Sequence, residues 1–496
     1  MSKYYLGLDQ GTTGVTALLF DRKFHPIGRG YCEIDQYYPA PGLVEHDPKN
    51  IWQSVCVATA EAMGMASAVS SDIISIGIDH EGESVVLWDR DTGEPVYPAI
   101  VWQDRRTAQR CEELDQKYGE LFRGRTYLTP DSYFSAAKIE WILKNVPQAT
   151  ELCRSGRLMA GNMDAWITWN MTGHRTHATD ASTASRTMLY DIVKGEWDSE
   201  ICGLLGIDLA ILPEVGDSTR EFGLADPDVF LGISAPITAL LNDQQAALLG
   251  QGCVERGMLK TTYGTGCFML MNTGASPIRS QNGLLTTVAW QTAGERSYAL
   301  DGGIYIAGAA TQWLRDGIGI IKSAKESGPL ALSVKDNGGV YFVPAFSGLA
   351  APHWDSYAAG MMIGITGGTT RAHIVRATSE SIAYQVADLA DAMERDSSVE
   401  IRGMRCDGGA AGDKFLMQFQ ADMLGMPLEV PSFTDATALG SALASAMTLG
   451  YIDMAFARDL PRDSKLYEPK MSADEREELL HNWHCAVERA KQWNKK

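Results

Sequence analysis

Two strand–turn–strand segments, about half a chain apart, constrain the fold of this sequence most. In the first, an apolar run at 4–8 leads into the turn Asp-Gln-Gly-Thr-Thr at 9–13, and a second apolar run follows at 15–20. In the second, the strand-forming run 259–263 precedes Gly-Thr-Gly at 264–266 and another apolar run. Glycine in such a turn lets a ligand approach the backbone, whose amides donate to phosphate oxygens, as do threonine hydroxyls. Each segment alone is also typical of an ordinary turn, but the pair predicts two α/β domains of related plan.

The composition fits a large protein of two domains. The chain has 496 residues, of which 45% are hydrophobic, so it can bury sizeable cores. A net charge of -19 argues against a nucleic-acid partner, although it leaves room for one nucleotide. No stretch approaches the roughly 20 apolar residues needed for membrane insertion. Scattered cysteines without a Cys-x-x-Cys pair, and no signal-peptide pattern, lead us to expect a cytoplasmic protein.

Polar residues follow predicted strands elsewhere in the chain. The β-branched run 73–78 predicts a buried strand with the acidic stretch 79–83 at its carboxyl end, where open α/β sheets bind ligands. A strand at 401–405, a glycine loop at 406–411 and a helix from Lys414 to Leu424 follow one another later. This order predicts a nucleotide site at a helix N-terminus.

We place a domain boundary near residue 250, which divides the chain into 1–250 and 251–496. Asn-Asp-Gln-Gln at 242–245 opens a predicted helix from Ala246 to Gly250 just before this boundary. We expect the first domain to hold an acceptor pocket and the first phosphate loop. We expect the second domain to bind the nucleotide and to end in a helix.

The residues at these turns suit phosphoryl transfer, which needs groups that bind the phosphates, a magnesium ion and a carboxylate base. The glycine loops near 11, 264 and 408 provide the phosphate-binding groups. Asp9 suits Mg²⁺ or one of its waters, since hard oxygen ligands are those that Mg²⁺ prefers. Asp243, at a strand-to-helix junction, is the candidate base and a second carboxylate near the metal. Its alternative role is that of a helix N-cap.

An acidic and histidine-containing segment offers a different hypothesis. His80, Glu81 and Glu83, with His46 elsewhere, partly resemble the ligands of a zinc hydrolase, but the spacing His-Glu-x-x-His is absent. Glu83 and Trp102 also suit a polyol pocket, in which the carboxylate accepts hydroxyl hydrogens and the indole contacts the carbon chain. Trp102 is almost as typical of a plain core residue.

The chain resembles the FGGY carbohydrate kinases over most of its length, and among them the glycerol kinases. The matching stretches, in the same order as in the family, are 9–13, 41–48, 99–103, 133–145, 282–287, 312–316, 360–380 and 415–420. The resemblance implies two actin-like ATPase (ribonuclease H-like) domains around a central cleft. It also implies ATP with Mg²⁺, and transfer of the γ-phosphate to a hydroxyl of a small polyol or sugar. We expect a homo-oligomer, either a dimer or a tetramer.

The resemblance implies a role for individual residues. Asp243 would be the general base, with Asp9 as the other catalytic carboxylate, and both would lie near Mg²⁺. The residues implied for the acceptor pocket are Gly82, Glu83, Trp102, Tyr133, Asp243, Gln244 and Phe268. The residues implied for the nucleotide are Gly11, Thr12, Thr13, Gly264, Thr265, Gly308, Gln312, Gly409, Ala410 and Asp413.

Three places in the chain depart from the family pattern. Glycerol kinases carry Gln-Arg-Glu where this chain has Glu81, Gly82 and Glu83. The missing arginine would donate to acceptor hydroxyls, a contribution of about 1.5–3 kcal/mol, and Gly82 is expected to open volume. The resulting hypothesis is an acceptor longer than glycerol: a tetritol, a pentitol or a ketose such as xylulose. Thr16 stands where the family usually has an arginine beside the phosphate loop, and Asp413 replaces an asparagine near the adenine. Both departures bear on nucleotide affinity and not on the type of reaction.

A protein that binds a sugar in the same cleft without catalysis is the remaining alternative. Retention of Asp9, Asp243 and both glycine loops argues against it.

Overall fold

The computed structural model describes residues 3–355 and 357–495. The strands up to residue 250 are β1 (Tyr4–Gln10), β2 (Gly14–Phe20), β3 (Pro26–Glu33), β4 (Glu45–His46), β5 (Ile73–His80), β6 (Val86–Asp89), β7 (Ala99–Ile100), β8 (Leu158–Gly161), β9 (Ala178–Asp180), β10 (Tyr190–Asp191), β11 (Glu196–Trp197), β12 (Glu214–Gly216), β13 (Gly223–Leu224) and β14 (Pro236–Asn242). The helices are α1 (Pro48–Ala66), α2 (Ala108–Arg125), α3 (Ser135–Asn145), α4 (Pro147–Arg154), α5 (Met163–Met171), α6 (Ala181–Ala184), α7 (Ser199–Leu205) and α8 (Asp243–Gly250).

The remaining elements follow from residue 259 onward. The strands are β15 (Leu259–Tyr263), β16 (Cys267–Gly274), β17 (Leu285–Thr292), β18 (Glu295–Ile304), β19 (Tyr341–Val343), β20 (Met361–Ile363), β21 (Met404–Asp407), β22 (Leu428–Pro431) and β23 (Ser464–Tyr467). The helices are α9 (Gly308–Asp316), α10 (Ser327–Leu332), α11 (Arg371–Ser397), α12 (Lys414–Leu424), α13 (Ala436–Thr448), α14 (Met454–Asp459) and α15 (Ala473–Ala490).

Two mixed sheets repeat one plan. The first has the order β13-β14-β5-β1-β2-β3, and the second has the order β17-β18-β16-β15-β21-β22-β23. In the first, β1, β2 and β3 are antiparallel neighbours, while β5 and β14 run parallel to β1. In the second, β15, β16 and β18 are antiparallel neighbours, while β21 and β22 run parallel to β15. The predicted pair of related α/β domains is confirmed.

The predicted elements around these sheets differ from the structure mainly at their ends. The strand predicted at 73–78 continues to His80, and the helix from Lys414 to Leu424 is as predicted. The strand predicted at 401–405 lies at Met404–Asp407, because that is the segment that pairs with β15. Among the described residues, no helix combines the length and the apolar character needed to cross a membrane.

Helix α13 joins the two halves, because it comes from the second half of the chain but lies on the first sheet. Leu6 and Leu8 of β1 belong to the same apolar cluster as α1, whereas Tyr5 belongs to the cluster that includes α13. A Cβ on Gly7 would overlap the carbonyl oxygen of Ala438, and a Cβ on Gly77 would overlap that of Ser441. Only glycine at these positions lets the helix backbone lie directly on the strands.

We expect Gly77→Ala to lower the free energy of unfolding by about 1–3 kcal/mol, because the new methyl group must displace α13 from the sheet. The matched control is Gly64→Ala on the exposed side of α1, where no atom lies within 4 Å of the position that a Cβ would take. That control should be neutral or stabilising by about 0.5–1 kcal/mol, since alanine is the better helix former. Urea unfolding of both variants measures the difference, and equal stabilities would contradict the packing argument.

Candidate active site

Three carboxylates lie at the carboxyl ends of neighbouring parallel strands. Asp9 of β1 pairs in register with Asp79 of β5, and Asp243 directly follows β14. Asp9 Oδ2 accepts a hydrogen bond of 2.7 Å from the hydroxyl of Thr437 on α13. Burial raises the pKa of Asp9, and burial together with the charges of Asp9 and Asp243 raises the pKa of Asp79 well above its usual range. The expected acidic edge of the first sheet is therefore present.

Asp243 is the first residue of α8, not its cap. Asn242 Oδ1 accepts from the backbone N–H of Gln244 at 3.1 Å, so Asn242 is the N-cap. The alternative role of Asp243 as N-cap and the predicted helix start at Ala246 are both wrong. The cap lies earlier because asparagine is among the preferred N-cap residues, and its amide oxygen reaches the Gln244 N–H.

The carboxylate of Asp243 is held by its neighbour. Asp243 Oδ1 accepts from the Gln244 backbone N–H at 2.6 Å, and Oδ2 accepts from Gln244 Nε2 at 3.0 Å. Burial raises the pKa of Asp243 to about 6, although the hydrogen bond from Gln244 and the charge of Lys260 lower it. A half-buried carboxylate with this pKa suits proton acceptance near neutral pH.

Lys260 on β15 was not identified from the sequence. It is fully buried, and its Nζ donates to Gln244 Oε1 at 2.6 Å and to Thr262 Oγ1 at 3.0 Å. Burial lowers its pKa, while the charges of Asp407 and Asp243 oppose that effect. This lysine connects the start of α8 to the second sheet. The signal for Lys260 in the sequence is a single charged residue inside the predicted strand at 259–263.

Three aromatic side chains from both halves of the chain meet in one cluster. The ring of Trp102 lies 5.5 Å from that of Tyr133 and 6.5 Å from that of Phe268, both in edge-to-face geometry. The indole Nε1–H of Trp102 donates to Thr12 Oγ1 at 2.9 Å. Trp102 is half-buried, which favours a pocket wall over a plain core position. This residue links the first glycine turn to the β15–β16 hairpin through direct contacts.

Glu83 is paired with an arginine that was not identified from the sequence. Arg186 Nε donates to Glu83 Oε1 at 2.7 Å, and its Nη1 lies 2.9 Å from Asp301 Oδ2. The guanidinium also lies 5.6 Å from the centre of the Tyr133 ring. Burial raises the pKa of Glu83, and Arg186 opposes that effect. The arginine therefore favours the ionised form of Glu83, which accepts hydrogen bonds.

The buried Lys138 connects the segment at Glu83 to the segment at Tyr133 and Phe134. Lys138 Nζ donates to the carbonyl oxygens of Tyr133 at 2.6 Å, Phe134 at 3.1 Å and Glu83 at 3.3 Å. Burial lowers its pKa to about 8. Lys138 lies on α3, and its signal in the sequence is a single lysine among apolar neighbours.

The space beside Gly82 is not open, so the expectation that this glycine adds volume is wrong. A Cβ built on Gly82 would overlap the side-chain amide nitrogen of Asn242. The neighbouring strand β14 delivers Asn242 opposite β5. A sequence alone does not show that one side chain fills the place vacated by another.

The first glycine turn is a tight hairpin. Gly11 N–H donates to the carbonyl of Gly14 at 3.0 Å, and Ile34 N–H donates to the carbonyl of Thr13 at 3.0 Å. The Thr13 side chain is exposed, and the hydroxyl of Thr12 accepts from Trp102. The hydroxyl hydrogen of Thr12 can therefore be donated to a ligand.

The residues assigned to the nucleotide lie on adjoining elements of the second sheet. The carbonyl of Gly264 accepts from the N–H of Gly308 at 3.0 Å, and the carbonyl of Thr265 accepts from the N–H of Ala309 at 3.0 Å. Gln312 lies on the same helix, α9, and is exposed, while Thr311 and Trp313 on either side are half-buried. The hairpin and the start of α9 therefore form one surface.

The third glycine loop adjoins this hairpin, because β21 pairs with β15. Gly409 and Ala410 form a 3₁₀ turn after β21. Asp413 caps α12 by accepting from Phe415 N–H at 2.9 Å, and it accepts from Ser327 Oγ at 3.1 Å. The carboxylate of Asp413 thus already accepts hydrogen bonds from within the protein.

The side chains available as metal ligands fit magnesium better than zinc. Among residues 3–355 and 357–495, no three His, Cys, Asp or Glu side chains are grouped to hold a metal ion. His80 Nε2 is 3.0 Å from Thr183 Oγ1, and His46 Nε2 is 2.9 Å from Gln36 Oε1, so both rings have partners within the chain. Mg²⁺ keeps several waters and takes one or two carboxylates, which the pair Asp9 and Asp243 can supply.

Sequence profiles of a known family match both halves of the chain. The N-terminal domain of the FGGY family of carbohydrate kinases matches residues 4–250, and the C-terminal domain matches residues 259–449. The chain belongs to the FGGY family of carbohydrate kinases.

Full-length relatives of this FGGY kinase share about half of its sequence. Glycerol kinase 2 of Thermotoga maritima is 50% identical, with 100% of each chain covered. The glycerol kinase of Petrotoga mobilis is 49% identical, with 99% of each chain covered. The crystal structure of Plasmodium falciparum glycerol kinase with ADP superposes with a TM-score of 0.92 at 33% identity, covering 99% of this chain and 98% of that one. The expected actin-like architecture of this FGGY kinase is confirmed.

Proposed function

We propose that this kinase transfers the γ-phosphate of ATP to a hydroxyl group of glycerol. The observation that carries the proposal is Trp102, which binds Thr12 of the first glycine turn while its ring meets Tyr133 and Phe268. Trp102 therefore connects the turn proposed to bind phosphate with the apolar surface proposed to contact a short carbon chain. Relatives named glycerol kinase, and one such structure with ADP, support the same assignment.

The proposed acceptor pocket lies between Glu83 and Asp243. The aromatic rings contact the carbon chain, and the ionised Glu83 accepts hydrogen bonds from hydroxyl groups. Gln244 holds the Asp243 carboxylate through two hydrogen bonds. Since Asn242 occupies the space beside Gly82, the volume argument for an acceptor longer than glycerol is lost.

In the proposed reaction, the oxygen of the acceptor hydroxyl forms a bond to the γ-phosphorus. Asp243 accepts the proton that this hydroxyl loses. The bond from that phosphorus to the ADP oxygen breaks, and the electron pair leaves with ADP. Backbone N–H groups of the glycine turns and the hydroxyls of Thr12 and Thr13 donate to phosphate oxygens. Asp9 and Asp243 would hold Mg²⁺, which would supply positive charge to offset the negative charge of the phosphate groups.

A panel of acceptors with ATP and Mg²⁺ tests this proposal. We expect glycerol to have a higher kcat/KM than erythritol, xylitol and xylulose, and chelation of Mg²⁺ to abolish ADP formation. A preference for a four- or five-carbon acceptor would overturn the assignment to glycerol. Binding of polyols without any ADP formation would instead support the non-catalytic alternative.

The kcat/KM for ATP, which reports the enzyme before Mg²⁺ and the nucleotide bind, should fall on the acid side with an apparent pKa of about 6. Burial raises the pKa of Asp243 to about 6, so below that pH the carboxyl is protonated and no longer accepts a proton. A single ionisation predicts about a tenfold loss per pH unit. Initial rates between about pH 4.5 and 8 measure this limb, with circular dichroism at each pH as the control for unfolding. A limb near pH 4, roughly the ordinary value of an aspartate, would contradict the proposed environment.

Three expectations from the sequence stay predictions. We propose a division into two domains near residue 250, which is supported by a first sheet that ends with Asn242 and a second sheet that begins with Leu259. A homo-oligomer and a cytoplasmic location are further predictions, and light scattering of the purified protein tests the first of these.

A further inference from the structure

We propose that Lys260 is a positioning residue for the reaction, because it orients the side-chain amide of Gln244, which in turn holds the carboxylate of Asp243. The inference rests on the proposed function, since it concerns the same base. Lys260 has 0% of its surface exposed, so it acts through Gln244 and not by contact with a substrate. A residue of the second sheet thereby controls the proton acceptor at the edge of the first.

Strand β15 presents Lys260 to helix α8. Successive side chains of a strand point to opposite faces of its sheet. Leu259 and Tyr263 belong to the apolar cluster that includes α11 and α12, so Lys260 lies on the other face. Its cross-strand partner Leu270 belongs to the cluster that includes three residues of α8. Lys260 is therefore on the face of the second sheet that packs against α8.

The order of donors and acceptors fixes the direction of the Gln244 amide. An ammonium group only donates hydrogen bonds, and an ionised carboxylate only accepts them. Lys260 Nζ donates to Gln244 Oε1 at 2.6 Å, and Gln244 Nε2 donates to Asp243 Oδ2 at 3.0 Å. An amide turned by half a rotation would set its NH₂ group against the ammonium and its oxygen against the carboxylate. Lys260 therefore determines that the NH₂ group faces Asp243.

The two hydrogen bonds from Gln244 orient Asp243 and still leave it able to accept a proton. Oδ1 accepts from the backbone N–H at 2.6 Å, and Oδ2 accepts from Nε2. Each carboxylate oxygen has two lone pairs, so a further hydrogen bond can form at either oxygen. A displacement of a reacting group by about 1 Å can cost about 100-fold in rate. The orientation of the base is therefore a property on which kcat depends.

An alternative role for Lys260 is that of a counter-charge. Burial lowers the pKa of Lys260, while the charges of Asp407 and Asp243 oppose that effect. Its Nζ also donates to Thr262 Oγ1 at 3.0 Å. The counter-charge role predicts that replacement of Lys260 lowers stability whatever stands at residue 244. The positioning role predicts a loss of kcat that depends on Gln244.

A double-mutant cycle of Lys260 and Gln244 tests the proposal. Lys260→Met keeps the length of the side chain but donates no hydrogen bond, so kcat should fall about 10- to 100-fold while the KM for ATP stays unchanged. In a Gln244→Met background, the same replacement should lower kcat by less than about threefold, since the residue through which Lys260 acts is gone. Losses that multiply in the double variant would overturn the proposal.

Gln244→Glu tests the same chain of hydrogen bonds with Lys260 intact. The glutamate still accepts from Lys260, but it presents a second oxygen to Asp243 in place of the amide donor. We expect kcat at saturating acceptor to fall at least about tenfold, with an unfolding midpoint close to that of wild type. Wild-type kcat in this variant would overturn the proposal, even if Lys260→Met fails to fold.

The matched control is Thr262→Val, which removes the other acceptor of Lys260 and leaves Gln244 in place. Its kcat should stay within about threefold of the wild-type value, because the bond that orients the amide is kept. A loss as large as that of Lys260→Met would overturn the assignment of the effect to Gln244.

The acceptor panel distinguishes a failure of this inference from a failure of the proposed function. All variants are compared with wild type on the acceptor that has the highest kcat/KM. A preference of the wild type for another acceptor would refute the assignment to glycerol, and the cycle would still test Lys260 on that acceptor. Wild-type kcat in Lys260→Met would refute the role of Lys260 alone. A wild-type protein that forms no ADP with any acceptor would refute both.

Discussion

Replacing Asp243 with asparagine should lower kcat by about 10²–10⁴-fold, the usual contribution of a positioned general base. Asparagine has nearly the same shape, and its amide oxygen can still accept from the Gln244 N–H that Asp243 Oδ1 binds at 2.6 Å. It has no carboxylate to accept the hydroxyl proton. We therefore expect the chemical step to suffer and the fold to persist.

Single-turnover rates with ATP and glycerol measure this loss, and circular dichroism verifies that the variant is folded. The matched control is Asp47→Asn at the start of α1, where Asp47 accepts from Lys49 N–H at 2.9 Å as an N-cap. Asparagine caps helices as well as aspartate does, so this control should keep wild-type activity. Wild-type turnover by the Asp243 variant would reject Asp243 as the base.

Replacing Arg186 with methionine should lower the free energy of unfolding by about 3–5 kcal/mol. The guanidinium is almost fully buried and pairs with Glu83 at 2.7 Å and Asp301 at 2.9 Å. Methionine is of similar length but leaves both carboxylates buried without this cation. We therefore expect one of the largest stability losses among single substitutions in this pocket.

The stability difference between wild type and Arg186→Met should become smaller as the pH falls. Burial raises the pKa of Glu83 and Arg186 lowers it, so removal of the arginine raises the folded-state pKa further. The folded variant then binds a proton at a pH where the unfolded chain does not, and its stability rises toward acid. Urea unfolding at about pH 7.5 and about pH 5.5 measures both effects.

The matched control for this substitution is Arg175→Met, which removes an exposed arginine 2.9 Å from Asp226. Its side chain is 60% exposed, so solvent screens the pair and only a small change is expected. A loss for Arg186→Met no greater than that of the control would contradict the buried ion pair.

Residues next to recognisable turns were predictable from the sequence. Both glycine hairpins, the acidic strand ends and the aromatic Trp102 occur in local patterns that fix their backbone geometry. Asp243 was found in the same way, although the start of its helix was predicted too late in the chain. A turn or a strand end is recognised from a few neighbouring residues, which is why the places of these residues in the fold were predictable, whereas their roles stay predictions.

Partners that arrive from distant segments were not predictable. Arg186 is 103 positions from Glu83, and Thr437 is 428 positions from Asp9. Asn242 and Gly82 show the same difficulty, because the space beside a glycine depends on which strand lies next to it. Such contacts are determined by tertiary packing, and one sequence carries no local signal for them.

The crossing of α8 and α13 has a consequence for how the protein moves. A Cβ on Gly440 of α13 would overlap the carbonyl oxygen of Ala246 on α8, so the two helices touch backbone to backbone. Asp243 begins α8, and Thr437 near the start of α13 holds Asp9. Asp9 lies near the end of β1 and Asp243 follows β14, both strands of the first sheet, so any swing of one lobe against the other moves the two carboxylates together. The separation of these two charges is therefore a property of one sheet and its helix pair, already set before any ligand arrives.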